Sequence, residues 1–461
     1  MKNLILLAYL LSTTILFAQN TNLSTGAVFD GEPYLAINPK NSQHLVVAWM
    51  GWVNIFDRFK IKTRTSYDGG QTWSTISELP HTVNGYSSAD PSLDFDQNGN
   101  VVACFIDFTG TTPPVTGGIY ISKSKDGGLS WDEPIEVLNT NYDGTKWPID
   151  RPWMVVDKST GPFQGNIYIT SMNLNRTNAP FKPYLSVSND AGNTFTQRHV
   201  DTTGWLAGSI NPFPMCSPTI SSSGVFYGAY PSYALTQSLY IQTFLTTSSD
   251  GGKNLNHGNI NIFPHNSFPS DSLAKKGTLL LSNPADPNHL AYVHLRTDYG
   301  DMDVYLIESM DAGATWSAPV RINDDPPGND RMQDLLWADF DSDGDLIISW
   351  RDRRNGSDST YQTETEIWAA FRDKHSHKFK PNFQISSQLI DYTSDMEEAG
   401  NDFMCVKLQN DTLNAVWGDP RDGELNIWFQ QMTTNGTVLS TNQISSETIP
   451  PLIIYPNPTN S

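Results

Sequence analysis

Arginines and carboxylates gather at two recurrent places in this 461-residue chain: the approach to short apolar runs, and the residues that follow the next run. The first set holds Glu32, Asp90, Asp150 with Arg151, Arg331 with Asp334, and Glu397, Glu398 and Asp402. The second holds Asp57 with Arg58, Asp107, Arg176, Tyr230 and Tyr233, Arg296 with Asp298, Arg351 to Arg354, and Asp419 with Arg421. A guanidinium fork binds a carboxylate or sulfate through two parallel hydrogen bonds. Two carboxyl groups flanking a glycosidic bond act as acid and base. Arg151, Arg353 and Arg421 are the candidates for gripping an anionic sugar. A lyase would instead need a Tyr or His base and a cation against a uronate carboxylate. His294 with Arg296, or Tyr230 with Tyr233, stand where that chemistry would need them. The bland reading of these residues is structural, because Asp–Arg pairs after strands often only satisfy one another.

The elements that must position these groups are announced by a repeat. Ser-x-Asp-x-Gly-x-(Thr/Ser)-aromatic occurs as SYDGGQTW, SKDGGLSW, SNDAGNTF, a worn SSDGGKNL and SMDAGATW. The central residues Asp68, Asp126, Asp190, Asp250 and Asp311 lie 58, 64, 60 and 61 residues apart, and a degenerate copy, RDKHSHKF, places Lys374 a further 63 on. A fixed period of this size denotes a repeat architecture. The motif has the chemistry of a hairpin staple: Gly for positive φ, Asp and Ser for turn amides, an aromatic to bury. The five aspartates are therefore expected to be structural. Around each box the chain shows two apolar runs and a turn, as in DPSLDFDQNGN followed by VVACFIDF, and the segment after the box supplies a fourth run. No long stretch has helical periodicity. Seven such units predict an all-β fold, a β-propeller of seven four-stranded antiparallel blades, or six if the first and last units share one. If the boxes join third and fourth strands they mark one face of the disc, and the arginines and carboxylates belong to the other.

These boxes resemble the Asp-box (BNR) repeats of sialidase-like β-propellers, over about residues 28–445. The resemblance implies an acid/base aspartate, to which Asp57 is similar in position, 11 residues before Asp68. It also implies a nucleophilic Tyr with a partner Glu, for which Tyr230, Tyr233 and Glu398 are the candidates. Where those enzymes carry an Arg-Ile-Pro motif before the first blade strand, this chain reads Gly31-Glu32-Pro33. The missing arginine speaks against ordinary exo-sialidase activity. The leading expectation is a glycoside hydrolase of sialidase-like type. A non-catalytic glycan- or protein-binding propeller is the alternative, and a lyase acting on a uronate polymer the third.

Lys2, the apolar run Leu4 to Phe17 and Ala18 before Gln19 read as a secretory signal peptide over 1–18. The propeller is expected over 19–446. Residues 447–461, with YPNP at Tyr455 to Pro458, resemble the opening of a type IX secretion sorting segment. The expected protein is a secreted or surface monomer whose partner is an extracellular glycan or polysaccharide. A net charge of −20 disfavours nucleic acid and anionic membrane, and no second apolar stretch is long enough for a membrane span. The three cysteines, Cys104, Cys216 and Cys405, read as buried free thiols. No metal-ligand spacing is present, and no cofactor is expected; DFDSDGD at Asp339 to Asp345 reads as a tight turn that needs no ion.

Overall fold

The computed structural model describes residues 20–26, 28–52, 58–110, 115–144, 147–173, 183–200, 215–232, 242–260, 277–392 and 401–439. The expected signal peptide and sorting segment lie outside these residues. Among them the strands form seven four-stranded antiparallel sheets, and no helix occurs. Blade three shows the plan: Asp150–Val156, Ile167–Met172, Pro183–Ser188 and Thr196–His199 pair in chain order from the inside outward. The second strands, such as Val101–Phe108, are largely apolar through their middles because both of their faces lie against neighbouring blades. The innermost strands touch in succession from blade one to blade seven, and that of blade seven, Cys405–Gln409, returns to Asp30–Asn38 of blade one. The sheets therefore close into a ring, a seven-bladed propeller.

Closure settles the choice between seven blades and six. Blade seven has no Asp box to lead into a fourth strand, and Thr21–Asn22 from the start of the chain takes that place beside Asn426–Thr433. Asn20 anchors the splice: its Nδ2 donates to Gln430 Oε1 (2.6 Å) and Ile385 O (3.2 Å), and its Oδ1 accepts from Ser387 N (2.8 Å). Inner strands are also tied blade to blade. Asp94 accepts from Val156 N (2.8 Å), Thr219 from Ser282 N (3.1 Å) and Asp339 from Leu408 N (3.0 Å).

Strand register assigns the faces. In blade three Ile167 pairs with both Val156 and Ser188, so the turn between the first two strands and the box hairpin lie at one end. Met172 pairs with both Asp150 and Pro183, so first-strand starts and second-strand ends share the other. We call these the hairpin face and the loop face.

At each box one hydrogen-bond set recurs. In the second copy Ser124 Oγ donates to Asp126 Oδ1 (2.8 Å) and accepts from Gly128 N (2.7 Å), while Ser130 offers its N to Oδ1 (2.9 Å) and its Oγ to Oδ2 (2.5 Å). Gly128 (φ 95°) has a second reason to be glycine: a Cβ there would come within 2.7 Å of Thr65 Oγ1 on the preceding blade. Trp131 completes the contact with an indole hydrogen bond to Thr63 Oγ1 (3.0 Å). Because this network is exposed, Asp126→Ala is expected to lower stability by only about 1 kcal/mol, with no change in ligand affinity. A melting curve paired with an activity assay checks this; lost activity at an unchanged melting temperature would contradict it.

All three cysteines are buried and none is in a disulfide. Burial pushes the Cys104 and Cys216 thiols upward. Among the described residues no helix is long and apolar enough to cross a membrane.

Candidate functional site

Four first strands carry the same irregularity as they enter the loop face. The register with the second strand slips between Gly31 and Tyr34, Ala89 and Ser92, Asp150 and Trp153, and Asp334 and Trp337. Inside each slip one residue is left-handed: Glu32 (φ 55°), Asp90 (52°), Arg151 (50°) and Leu335 (52°). Proline follows the first three, which suits a bulge because the missing N–H leaves nothing unpaired there. A bulge turns a side chain away from the alternation of its strand. Left-handed Glu, Asp and Arg are strained at about 1–3 kcal/mol each, and such strain concentrates at functional sites.

These side chains meet at the propeller axis. Arg151 Nη2 donates to Asp402 Oδ2 (2.9 Å), and its backbone N donates to Asp90 Oδ2 (2.9 Å). Blades three and seven are not neighbours in a ring of seven, so Arg151 and Asp402 can touch only across the central channel. Met215, at the entry to blade four, places Sδ 2.9 Å from Arg151 Nη1, and Phe403 lies under the guanidinium at 5.7 Å. Glu32 is only 3% exposed. Burial, then the charges of Asp90 and Asp402 and a hydrogen bond shared with Asp90, push its carboxyl well above the ordinary glutamate range, against the opposing pull of Arg151. Burial works against the Arg151 charge, but Asp402, Asp150, Asp90 and Glu32 outweigh it and raise its pKa.

The floor of this site is aromatic. Trp153 of blade three packs edge-on against Phe403 of blade seven (6.1 Å) and Trp337 of blade six (6.4 Å), and Tyr34 of blade one meets Trp337 at 5.2 Å. These are again contacts between non-adjacent blades, so the rings plug the channel beneath the charged groups. On the hairpin face the channel reopens as a cavity of about 490 Å³, bordered by the ion pairs Asp94–Lys158 (2.5 Å) and Asp339–Lys407 (3.0 Å).

The residues singled out from sequence separate into three groups. Arg151 stands at the axis. Arg353 and Arg421 do not join it in any contact seen among the described residues. Arg353 is 1% exposed, donates to Asp334 Oδ1 (3.1 Å) and Tyr361 O (3.1 Å), and lies over the Tyr361 ring at 4.7 Å. Arg421 pairs with Asp419 of its own blade, reaches Asn20 and Ser387 (3.0 Å each), and stacks on Trp428. Two of its partners, Asn20 and Ser387, belong to the splice beside the outer edge of blade seven, so it serves the ring closure. Tyr230 is fully buried in the blade-four core, 5.8 Å from Phe244, and His294 is buried and stacked on Tyr292. Asp57, Glu398, Tyr233 and Arg176 lie outside the described residues.

Sequence reading placed Glu32, Asp90 and Asp402 among the polar residues before first strands without choosing them. The available signal was the dipeptide Glu-Pro, Asp-Pro or Arg-Pro at the same point of three successive units. Among the described residues no group of three or more His, Cys, Asp or Glu side chains is disposed to hold a metal ion.

No family model and no curated protein matches the chain. Among solved structures, it is similar to a Dyadobacter fermentans protein of unknown function at 16% identity, covering 77% of this chain and 97% of that one, with a TM-score of 0.47. It is similar to the alpha-L-arabinofuranosidase of Fusarium graminearum at 14% identity, covering 77% and 96%, TM-score 0.49. The NanB sialidase of Streptococcus pneumoniae is similar at 14% identity, covering 91% and 70%, TM-score 0.44.

Proposed function

We propose that this protein is a glycoside hydrolase of sialidase-like architecture acting on extracellular glycans, with its acid–base chemistry at the axial cluster. The observation that supports this reading is a buried carboxyl, Glu32, held left-handed at the axis beside Asp90 and Asp402, where burial and those neighbouring charges raise its proton affinity. Cleaving a glycosidic bond needs one group that still holds a proton near neutral pH and another that has lost it. Glu32 is the proton donor. Asp90 and Asp402 are the carboxylates available to stabilise positive charge on the sugar and to activate water or attack. Arg151 fixes Asp402 and, through its backbone N, Asp90. Asp57 and Glu398, close in the chain to Trp52 and Asp402, remain further carboxyl candidates within the same proposal.

A glycan screen tests the reading when it is scored for affinity, for new reducing ends and for unsaturated uronate. Reducing ends support hydrolysis. Unsaturated product points to a lyase, and affinity without product to a binding module.

Export is the second part of the proposal. Cleavage after Ala18 would leave Gln19 and then Asn20, the residue that anchors the ring closure. Mass spectrometry of secreted protein is expected to find Gln19 at the N-terminus. An intact Met1 on exported protein, or a terminus beyond Asn22, would contradict it.

A further inference from the structure

Three guanidiniums at the loop-face end of blade six are paired within the chain. Arg351 and Arg353 share Asp334, and Arg354 holds Asp352 (2.9 Å) and Asp324 (2.7 Å). Arg331, which stands just before the innermost strand of the same blade, Gln333–Phe340, is different. It is half-buried, and its Nη1 is enclosed without a hydrogen-bond partner. Among the described residues no carboxylate comes within ion-pair distance of it. Its charge reaches Asp358 in the blade-six loop, but that carboxylate is exposed and accepts from Thr360 N (2.8 Å) and Oγ1 (2.7 Å), the bonds that chiefly hold its pKa down.

The backbone of Arg331 is fixed as firmly as its guanidinium is unclaimed. Its N donates to Asp301 Oδ2 (2.9 Å) and Asn329 Oδ1 (3.0 Å), and its O accepts from Gln333 Nε2 (2.6 Å). The next carbonyl, Met332 O, accepts from Arg353 Nη1 (3.4 Å). Asp330, the residue before, is left-handed (φ 58°), a strained conformation of the kind that collects at binding sites. Asp301 turns its carboxylate to the backbone of Arg331 and not to the guanidinium.

Enclosing a charge without a counter-charge destabilises a fold, and the pairing that would offset this is missing within the described chain. A guanidinium carried on a fixed backbone presents a planar fork that matches two oxygens of a carboxylate or sulfate, with little left to order on binding. We infer that Arg331 binds an oxyanion of the ligand, a carboxylate or sulfate ester on an acidic glycan. This rests on the glycosidase reading and narrows its substrate class to glycans that carry such groups.

Oligogalactose, oligogalacturonate and 6-sulfated oligogalactose, presented to the full mature protein, share one framework and differ in the acid group. Binding is followed by calorimetry at low and high salt, and turnover by new reducing ends. At least one acidic member is expected to bind about tenfold tighter than the neutral one, with a preference that shrinks as salt rises. Arg331→Gln is expected to remove the preference while the affinity for the neutral member stays the same and the melting temperature holds or rises. Arg331→Lys keeps the charge without the fork and should retain part of the preference. A preference that survives in Arg331→Gln overturns the inference, most plainly if that variant also melts lower, as removal of a structural arginine would cause. A wild type that binds neither acidic member better than the neutral one overturns it too; reducing ends released from oligogalactose would then leave the hydrolase reading standing. Acid-selective binding that depends on Arg331 but yields no new reducing ends sinks the hydrolase reading and supports the oxyanion site.

Discussion

Replacing Glu32 with glutamine is expected to lower kcat by about 10²- to 10⁴-fold, the contribution of a positioned proton donor, while the propeller stays folded. The amide keeps the shape of the acid and cannot give up a proton. Wild-type kcat/KM should fall as pH rises through the raised pKa of Glu32. The same raised pKa predicts a stability effect of definite sign. A carboxyl with a folded pKa above its unfolded value favours the native state fully below the unfolded value, and that contribution is lost as pH rises through the folded one. Every tenfold gain in proton affinity on folding corresponds to about 1.4 kcal/mol. Wild type should therefore lose stability on the alkaline side, and Glu32→Gln should lose less. Denaturant titrations across pH, alongside initial rates, measure both. A glutamine variant with wild-type turnover removes Glu32 from the proton-donating role.

Asp334→Asn is expected to cost about 3–5 kcal/mol of stability, because it strands two buried guanidiniums. Asp334 accepts from Arg351 at Nε (2.7 Å) and Nη2 (2.5 Å) and from Arg353 at Nη1 (3.1 Å), and all three side chains are essentially inaccessible. Burial pushes the Asp334 carboxyl up, and the two guanidiniums overcome it and hold it at about 2. A depressed folded pKa stabilises the native state above the unfolded value of 3.8, and that stability is lost as pH falls toward about 2. The gap between wild type and Asp334→Asn should accordingly be full at pH 7 and shrink on acidification. Urea midpoints at several pH values report it; a variant within about 1 kcal/mol of wild type at pH 7 would show the pair to be dispensable. The contrast with Asp126 follows from burial, since the box network can be replaced by water and the Asp334 pair cannot.

The propeller itself was legible because its signals are local. Ser124, Asp126, Gly128 and Ser130 bond within seven residues of one another, so the motif carries its geometry in the letters. The even spacing of the boxes then sets the length of a blade, and alternation of apolar runs with turns counts strands. The fourth strand of blade seven was less visible: Thr21–Asn22 pairs with residues some four hundred positions away, and two residues of strand have no readable period.

The role of each arginine was decided only by the tertiary structure. Arg151, Arg353 and Arg421 look alike in sequence, each beside a carboxylate and near a strand end. In space Arg353 turns back to Asp334 within blade six, and Arg421 turns outward to the ring closure, where Asn20 arrives from the other end of the chain. Arg151 reaches across the axis, because a left-handed bulge aims it through the channel at Asp402, 251 residues later in the chain. Local propensity places a charged residue at a strand end. What it pairs with, and so whether it binds a ligand or holds a blade together, depends on which distant chain the ring brings opposite it.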